Sequence, residues 1–289
     1  MRVTGLTGVI QVSAGASQSL ALRSDGTVWA WGRNDAGQVG NGTISPAQDT
    51  PVQVTGLTGV TKVSAGFRFS LALRSDGTVR AWGANQLGQL GNGTTVNSSV
   101  PVKVTGLSKV TAISAGADSS LAARPGATTT SVLAWGGNSS GQLGDGTLTN
   151  RTTPKLVSGI NTPFIAGLAA GVDYATVLGT DGSVWGWGND RSGQLGDASA
   201  SLPVTRPVNT IAAGSGITQL AADSTTMVAL KSNGTVLAWG DNSRGQLGIG
   251  TTVHIVGPVQ VTGLTKATQV AAGRASGFAI HVVPLIAQP

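Results

Sequence analysis

The sequence contains no cysteine and no glutamate, and only 10% of its residues are charged. Without cysteine the chain has no disulfide, no thiolate metal ligand and no cysteine nucleophile, and its redox compartment is not indicated. Its two histidines, His254 in a variable loop and His281 near the C-terminus, do not form the closely spaced pair of a zinc site. We therefore predict no metal site and no bound cofactor.

Long apolar runs are also missing, although 40% of the residues are hydrophobic. No run approaches the ~18 residues of a transmembrane helix, so we expect no membrane span. Residues 1–5 lack the apolar core of a secretory signal peptide. The formal charge of +6 comes from lysines and arginines that are scattered singly, without interleaved stacking aromatics. We expect a solvated basic surface and no dedicated nucleic-acid site.

Glycine is abundant, with 44 residues, and it recurs at fixed positions. A glycine follows a tryptophan at five places that lie 51 to 53 residues apart: Gly32, Gly83, Gly136, Gly188 and Gly240. A fixed period of this length is typical of repeat architectures. One unit of about 52 residues cannot bury its apolar face alone, so the units must pack on one another. We predict a single domain over residues 1–289.

Each repeat contains four short apolar segments with no helical periodicity. In the second repeat the first segment is residues 51–54, which begin with proline, and the next is residues 60–66, which end in small residues. Proline suits an outer edge strand, and small residues suit a crowded inner rim. An Asp-Gly pair, here Asp76-Gly77, separates the last two segments and predicts a hairpin with a type I′ turn. The sequence predicts an all-β fold, a β-propeller of four-stranded antiparallel blades.

The two ends of the chain determine the number of blades. The small-residue segment occurs six times, whereas the tryptophan segment occurs five times. Residues 2–6 resemble the outer segment around residues 54–57, so we predict that the N-terminal segment completes a sixth blade. Residues 285–287 would replace the missing tryptophan strand. Six blades is the favoured number, and a seven-bladed ring or a truncated ring of a longer protein is the alternative.

The repeat V-x-x-V-[SA]-A-G-x-x-x-S-L-A-L-x-x-D-G-x-V-x-x-W-G-x-N-x-x-G-Q-L-G resembles the regulator of chromosome condensation repeat over nearly the whole chain. The resemblance implies a β-propeller that is used for binding and not for chemistry. Uninterrupted repeats and loops rich in threonine, serine and glycine are similar to bacterial members, which favours a secreted or cell-surface location. Nucleotide exchange by the eukaryotic member depends on loop insertions that have no counterpart here.

The short run after the small-residue segment changes in every repeat. Members of the family commonly carry histidine three residues after its glycine, but this chain has glutamine, phenylalanine, serine, tyrosine or threonine there. In the second repeat two phenylalanines flank Arg68, and aromatics and arginine are favoured in protein interfaces. The alternative is that Phe67 or Phe69 packs back onto the neighbouring blade. The candidate protein-binding rim comprises Ser17, Gln18, Phe67, Arg68, Phe69, Asp118, Ser119, Asp173, Tyr174, Thr225 and Arg274.

The repeated polar and aromatic residues are interpreted as framework. An asparagine, for example Asn85, fixes the turn after each tryptophan, with Asp190 in its place in the fourth repeat. The glutamine of the G-Q-L-G motif, for example Gln89, is expected to satisfy buried backbone groups between blades. The tryptophans are expected to form the core between blades. Asp76 and its equivalents lie in separate hairpin turns, so they do not converge on a catalytic site.

These observations predict a non-catalytic protein-binding scaffold that presents variable loops on one face and acts as a monomer. One alternative is a structural or spacer domain of a larger bacterial surface or secreted protein. Another is an inhibitor of a secreted enzyme such as a β-lactamase, a role known in the family, which would require a rim rich in aromatics. An enzyme is the last alternative, because no constellation of catalytic residues is present in the sequence.

Overall fold

The computed structural model describes residues 3–126, 129–160, 162, 164–199, 203–273 and 276–281. Throughout these residues the chain forms strands, turns and loops, arranged as six antiparallel sheets. No helix in this part of the chain is long and apolar enough to cross a bilayer. The predicted all-β class and the six sheets are confirmed.

Five sheets are complete four-stranded blades, and the sixth has two described strands. Blade 1 contains β1 (Val9–Ala14), β2 (Gln18–Arg23), β3 (Val28–Asn34) and β4 (Ser45–Gln53). Blade 2 contains β5 (Val60–Ala65), β6 (Phe69–Arg74), β7 (Val79–Gly83) and β8 (Ser98–Lys103). Blade 3 contains β9 (Ala112–Ala115), β10 (Ser119–Pro125), β11 (Thr130–Gly136) and β12 (Arg151–Leu156). Blade 4 contains β13 (Ile165–Ala170), β14 (Tyr174–Gly179), β15 (Val184–Gly188) and β16 (Val204–Ile211). Blade 5 contains β17 (Ile217–Ala222), β18 (Thr226–Lys231), β19 (Val236–Gly240) and β20 (Ile255–Gln260), and the sixth sheet contains β21 (Ala267–Gly273) and β22 (Ser276–His281).

The strands of each complete blade lie in chain order, and each pairs antiparallel with the next. The first strands of successive blades contact one another: β1 contacts β5, and β5 contacts β9. These first strands therefore line the central axis. The proline-containing fourth strands form the outer edge of each sheet. The predicted placement of the small-residue segments inside and the proline segments outside is therefore confirmed.

The Asp-Gly hairpins form as predicted, but their turn type differs from the prediction. In blade 2 the amide of Arg74 donates to the carbonyl of Thr78 at 2.9 Å, and Gly77 N–H donates to the carbonyl of Arg74. Gly77 has a φ of 73°, whereas Asp76 is outside the left-handed region. This is a three-residue loop in which a type I turn is followed by a glycine bulge. The Asp76 carboxylate accepts the amide of Thr78 at 3.0 Å, which explains the aspartate without a catalytic role.

The apolar core lies between the blades. In the first interface Leu20 and Leu22 of blade 1 pack with Val63, Ala65 and Trp82 of blade 2, and all five side chains are buried. The same arrangement recurs at the following interfaces. Period-two alternation along each strand directs one set of side chains to the preceding blade and the other set to the next. Burial therefore requires the neighbouring repeat, as expected for a stack of units.

The prediction that the N-terminal segment completes the sixth blade is not tested by the residues that the structure describes there, and it stays a prediction. Residues 3–8 form a turn without a strand. Arg23 Nε donates to the carbonyl of Thr7 at 2.9 Å, and Ser24 N–H donates to that of Gly8 at 2.8 Å. The turn thus precedes the inner strand of its own blade. Residues 285–287, the predicted replacement strand, lie outside the described residues.

Candidate functional site

The variable runs form two-residue hairpin tips between the first and second strands of each blade. The amide of Gly66 donates to the carbonyl of Phe69 at 2.9 Å, and equivalent bonds close the other four tips. We call these five pairs the tip loops: 16–17, 67–68, 117–118, 172–173 and 224–225. Because consecutive strands are antiparallel, the connections between third and fourth strands lie at the same end of each blade. Together they form one surface, the loop face.

The glycine after each recurring tryptophan holds the tip loop in place. In blade 2 the amide of Ala84 donates to the carbonyl of Arg68 at 2.8 Å. Gly83 has a φ of 103°, and a Cβ there would lie 2.5 Å from that same carbonyl oxygen. Any side chain at this position would therefore push the third strand away from the tip. The five recurring glycines thus give the loop face a fixed backbone.

The predicted rim includes four residues that are buried and do not lie on the loop face. Gln18, Phe69, Ser119 and Tyr174 all occupy the position directly after a tip loop, and all are almost wholly buried. Their assignment as contact residues is wrong, because their side chains are enclosed by their own and neighbouring blades. For Phe69, packing onto the blade was the stated alternative. Two of the three aromatic side chains on which an aromatic-rich inhibitory rim depends are therefore not available.

Two of these buried residues, Gln18 and Tyr174, bond neighbouring blades to each other. Gln18 Nε2 donates to the carbonyls of Gly66 and Phe69 at 2.8 and 3.1 Å, and Tyr174 Oη donates to that of Thr226 at 2.9 Å. The Tyr174 ring lies directly over Gly171, where a Cβ would fall 2.0 Å from the ring. Variation at this position therefore reflects how each pair of blades is joined.

Six predicted rim residues remain at the surface, wholly or in part. Ser17 is exposed, Phe67 is 41% exposed, and Arg68, Asp118, Asp173 and Thr225 are half-buried. All six lie in the five tip loops, Phe67 and Arg68 sharing that of blade 2, so the structure brings them together around the axis on the loop face. Arg274, the remaining member, lies outside the described residues.

Arg68 is held in an ion pair that joins two blades. Its Nη2 lies 2.7 Å from Asp35 Oδ2 of blade 1, and Arg33 Nη2 lies 2.6 Å from the same oxygen. Burial opposes ionisation of Asp35, but hydrogen bonds from Arg33 and Arg68 hold the pKa of its carboxyl well below the usual range. The guanidinium of Arg68 is thus fixed at the tip of blade 2, with its charge paired to Asp35.

The next two tips carry an acidic pair. Burial and the charge of Asp173 raise the pKa of Asp118, and burial raises the pKa of Asp173. Gln89 Nε2 donates to Asp118 at 3.1 Å, and Gln142 Nε2 donates to Asp173 at 3.4 Å. Two carboxylates with raised pKa values favour a positively charged neighbour. In the described residues no group of three or more potential ligands is placed to hold a metal ion.

The glutamines of the G-Q-L-G motif do satisfy a backbone group with their side chains, but the group belongs to their own turn and not, as predicted, to the contact between blades. Gln89 Oε1 accepts the amide of Leu87 at 3.0 Å and so satisfies a backbone group of its own turn. The contact between blades uses the glutamine backbone, because Trp135 Nε1 donates to the carbonyl of Gln89 at 2.9 Å. The role in orienting the tip aspartates was missed, since it depends on the next blade.

The loop face also carries an outer set of apolar side chains that are not among the predicted rim residues. In four blades the loop that follows the G-Q-[LV]-G motif carries one aliphatic residue that is between 50% and 71% exposed. These residues are Ile44, Val96, Leu148 and Val253. The sequence does contain a signal for these residues: a single apolar residue follows G-N-G-T, G-D-G-T or G-T-T within an otherwise polar loop. Backbone hydrogen bonds fix three of these loops to the next blade. In blade 1, for example, the amide of Gly42 donates to the carbonyl of Ser99 in blade 2 at 2.9 Å.

Comparison with known proteins agrees with this architecture. A sequence model described as the RCC1-like domain matches residues 1–282. The Ultraviolet-B receptor UVR8 of Arabidopsis thaliana is 29% identical over 263 residues, which are 88% of this chain and 58% of the receptor. The probable E3 ubiquitin-protein ligase HERC6 of Homo sapiens is 33% identical over 264 residues, 89% of this chain and 26% of that protein. The chain therefore spans little more than half of the first relative and about a quarter of the second.

Solved structures show the same fold. Prp20p from Saccharomyces cerevisiae, described with its binding to Gsp1p and histones, superposes with a TM-score of 0.79 at 25% identity. That match covers 96% of this chain and 69% of Prp20p. Human WBSCR16 superposes with a TM-score of 0.78 at 23% identity, over 91% of this chain and 71% of its own, which supports the fold alone. The family match and the repeated blades lead to one conclusion: this chain belongs to the RCC1-like domain family.

Proposed function

We propose that the chain is a non-catalytic protein-binding module that uses its loop face. The observation that carries the proposal is the recurrence of one exposed aliphatic residue in the same loop of four blades, four or five residues after the last glycine of the G-Q-[LV]-G motif. Single exposed apolar side chains are ordinary on protein surfaces, but these four recur in the same loop of their repeats and so share one face. Phe67 adds an exposed aromatic ring on the same face.

The charges of the loop face indicate the chemistry of the partner. Asp118 and Asp173 form an acidic pair near the axis, and Arg68 lies beside them with its charge already paired to Asp35. A complementary partner carries a basic group over the acidic pair and apolar groups over the outer loops. The binding to Gsp1p and histones described for Prp20p supports a protein as the ligand.

A rigid face favours binding because little entropy is lost when the partner docks. The tip loops are held by backbone bonds to their own blade, and the outer loops of blades 1 to 3 are bonded to the next blade. Two other interpretations remain as competitors: a spacer domain that binds nothing through this face, and an inhibitor of a secreted enzyme. The spacer interpretation gives the loop face no binding role, whereas the binding module and the inhibitor would both use it.

The experiment captures proteins from an extract of the source organism on the immobilised chain and quantifies them by mass spectrometry. The test variant combines Phe67→Ala with Ile44→Ser, Val96→Ser, Leu148→Ser and Val253→Ser. The control variant, Val100→Ser with Leu156→Ser, removes exposed aliphatic groups from the outer strands instead. Thermal melting checks that both variants are folded.

We expect at least a tenfold loss of the captured protein with the test variant and no loss with the control. Equal capture by the parent and both variants would contradict the use of the loop face. Failure of the parent to enrich any protein would favour the spacer interpretation.

A further inference from the structure

The face opposite the loop face is one continuous surface around the axis. It consists of the hairpins between second and third strands and of the turns that precede the first strands, and we call it the hairpin face. These two parts are bonded across neighbouring blades. The amide of Val60 donates to the carbonyl of Gly26 at 3.1 Å, and the amide of Val110 donates to that of Gly77 at 3.0 Å.

All six lysines of the chain lie at the hairpin-face end of the blades, although the sequence scatters them singly. Four lie in turns before first strands or at the ends of fourth strands, and a fifth ends the second strand of blade 5. The sixth is Lys62, whose Nζ donates to the carbonyl of Thr111 in the turn before β9, at 3.2 Å. The six are Lys62, Lys103, Lys109, Lys155, Lys231 and Lys266.

The charge of the chain is therefore divided between its two faces. Four arginines join the lysines at the hairpin face: Arg23, Arg74, Arg80 and Arg124. Three of the chain's twelve aspartates, all of which the structure describes, lie there in hairpin turns, so the described part of the hairpin face has a formal charge of +7. Eight other aspartates lie between first and second strands or between third and fourth strands, at the loop-face end.

Two of these lysines have a backbone conformation that is unfavourable for a residue with a side chain. Lys109 has a φ of 55° and Lys266 a φ of 59°, both in the left-handed region. Blades 1, 2 and 5 have glycine at the same place, also with positive φ: Gly8, Gly59 and Gly216. Strained residues of this kind concentrate at functional sites, so the two lysines indicate a role beyond folding.

A like-charged pair on the outer strands of blade 2 gives the same indication. Arg80 of β7 lies directly opposite Lys103 of β8. Like charges in this arrangement destabilise a sheet. The equivalent pairs in blades 1 and 5 are a tryptophan and a leucine, each opposite a glutamine. An anionic ligand would relieve the repulsion between Arg80 and Lys103.

The distribution of the charge favours a planar anionic ligand. The basic groups are spread over five of the six sheets, whereas proteins that bind single-stranded nucleic acid use a charged groove with stacking aromatics. Blade 4 has Phe164 in the place of Lys109, 47% exposed, because its carbonyl accepts the amide of Thr180 as that of Gly59 accepts Ser75. Basic groups beside an exposed apolar ring are the combination that binds anionic bilayers. Lysine is a flexible point charge that needs no fixed bidentate partner, which suits mobile headgroups.

We propose that the hairpin face binds the surface of a bilayer that contains anionic phospholipids. The lysine ammonium groups contact headgroup phosphates, and the ring of Phe164 enters between the headgroups. The attraction acts within about a Debye length of the surface. The aspartates of the opposite end orient the chain with the loop face away from the bilayer. The proposal therefore does not rest on the binding role of the loop face.

The test measures co-sedimentation of the full chain with vesicles of equal parts phosphatidylglycerol and phosphatidylcholine. We expect at least tenfold weaker binding to vesicles of phosphatidylcholine alone, and loss of binding at about 1 M salt. The test variant is Lys109→Gly with Lys266→Gly. It is expected to melt no lower than the parent, because glycine adopts the same φ at this place in three other blades. It is expected to bind anionic vesicles at least tenfold more weakly.

The matched control is Arg191→Ser with Arg244→Ser, which removes the same charge from exposed positions at the loop-face end. Serine stands at the equivalent positions of blade 3, Ser139 and Ser140, and the control is expected to keep parental affinity. Equal binding to neutral vesicles, unchanged binding by the lysine variant, or an equal loss in both variants would overturn the proposal. Tighter binding to a DNA duplex at the same salt, weakened by the lysine variant alone, would assign the face to nucleic acid instead.

Discussion

At the scale of single residues, the turn after each tryptophan-glycine pair depends on one buried amide. Asn85 Oδ1 accepts the amide of Leu90 at 2.8 Å, and its Nδ2 donates to the carbonyl of Thr94 at 2.9 Å. Asn34, Asn138 and Asn242 make the same two bonds in their blades. The side chain must therefore both accept and donate, which an ionised carboxylate cannot do.

Blade 4 has Asp190 at this position, and its environment favours the protonated acid. Oδ1 accepts the amide of Leu195 at 2.8 Å, while Oδ2 is buried and has no partner among the described residues. Burial, with the nearby Asp197 carboxylate as a further contribution, raises the pKa of Asp190 to about 7. The unfolded chain ionises near the ordinary value of 3.8. Ionisation therefore favours the unfolded state as pH rises from about 4 to about 7, by up to about 1.4 kcal/mol per pH unit.

Replacing Asp190 with asparagine is expected to remove this loss. The Asp190→Asn variant should match the parent in urea unfolding at pH 4 and should unfold at clearly higher urea at pH 8. The reciprocal variant, Asn138→Asp, reproduces the carboxylate pair in blade 3, because Asn138 Nδ2 lies 3.4 Å from Asp145 Oδ1. It should lose stability over the same pH window. An Asp190→Asn effect of equal size at both pH values would exclude ionisation as the cause.

The two phenylalanines that flank Arg68 are expected to respond differently to truncation. Phe69 is fully buried and lies over Gly66, whereas Phe67 is exposed at the tip. Phe69→Ala leaves a cavity between blades and should cost about 3–5 kcal/mol of unfolding free energy. Phe67→Ala should change it by less than about 1 kcal/mol. Urea unfolding of the two variants measures the difference, and similar losses for both would show that Phe67 also packs in the core.

At the scale of strands and turns, much of the fold was predictable because each unit repeats the same local signals. Alternation predicted the strands, and Asp-Gly predicted the hairpins. The turn type was missed because Asp-Gly is compatible with both a type I′ turn and a type I turn with a glycine bulge. The choice is visible only in the backbone, where Gly77 has a positive φ and Asp76 does not.

The candidate site was predicted less completely, and the reason is the packing between blades. The sequence identifies the tip loops as variable. Whether the residue after each tip is buried depends on how the next repeat packs against it, which the sequence of one repeat does not show. From the sequence Tyr174 was interpreted as a surface aromatic. In the structure its ring is buried and its hydroxyl donates to the carbonyl of Thr226 in the following blade. The exposed aliphatic residues of the outer loops were missed for the converse reason, since an apolar residue near a core motif suggests burial.

At the scale of the whole molecule, stability is a sum of blades and the interfaces between them. Blades 2, 3 and 4 have a neighbour on both sides, with continuous clusters of buried side chains. The two ends of the array differ from this. Val12 of β1 is 71% exposed, whereas its equivalent Val63 in β5 is buried. Phe278 of β22 is 59% exposed, whereas its equivalents Leu20 and Leu71 are fully buried.

Hydrogen exchange followed by mass spectrometry should therefore show a gradient along the array. Local opening of a blade costs the apolar contacts of its interfaces, and the end sheets have fewer of these to lose. We expect the slowest exchange in the second strands of the middle blades, β6, β10 and β14, and the fastest strand exchange in β1 and in β21 and β22. Protection of β1 and β22 equal to that of β6 would show that the two ends contact each other in solution and close the ring.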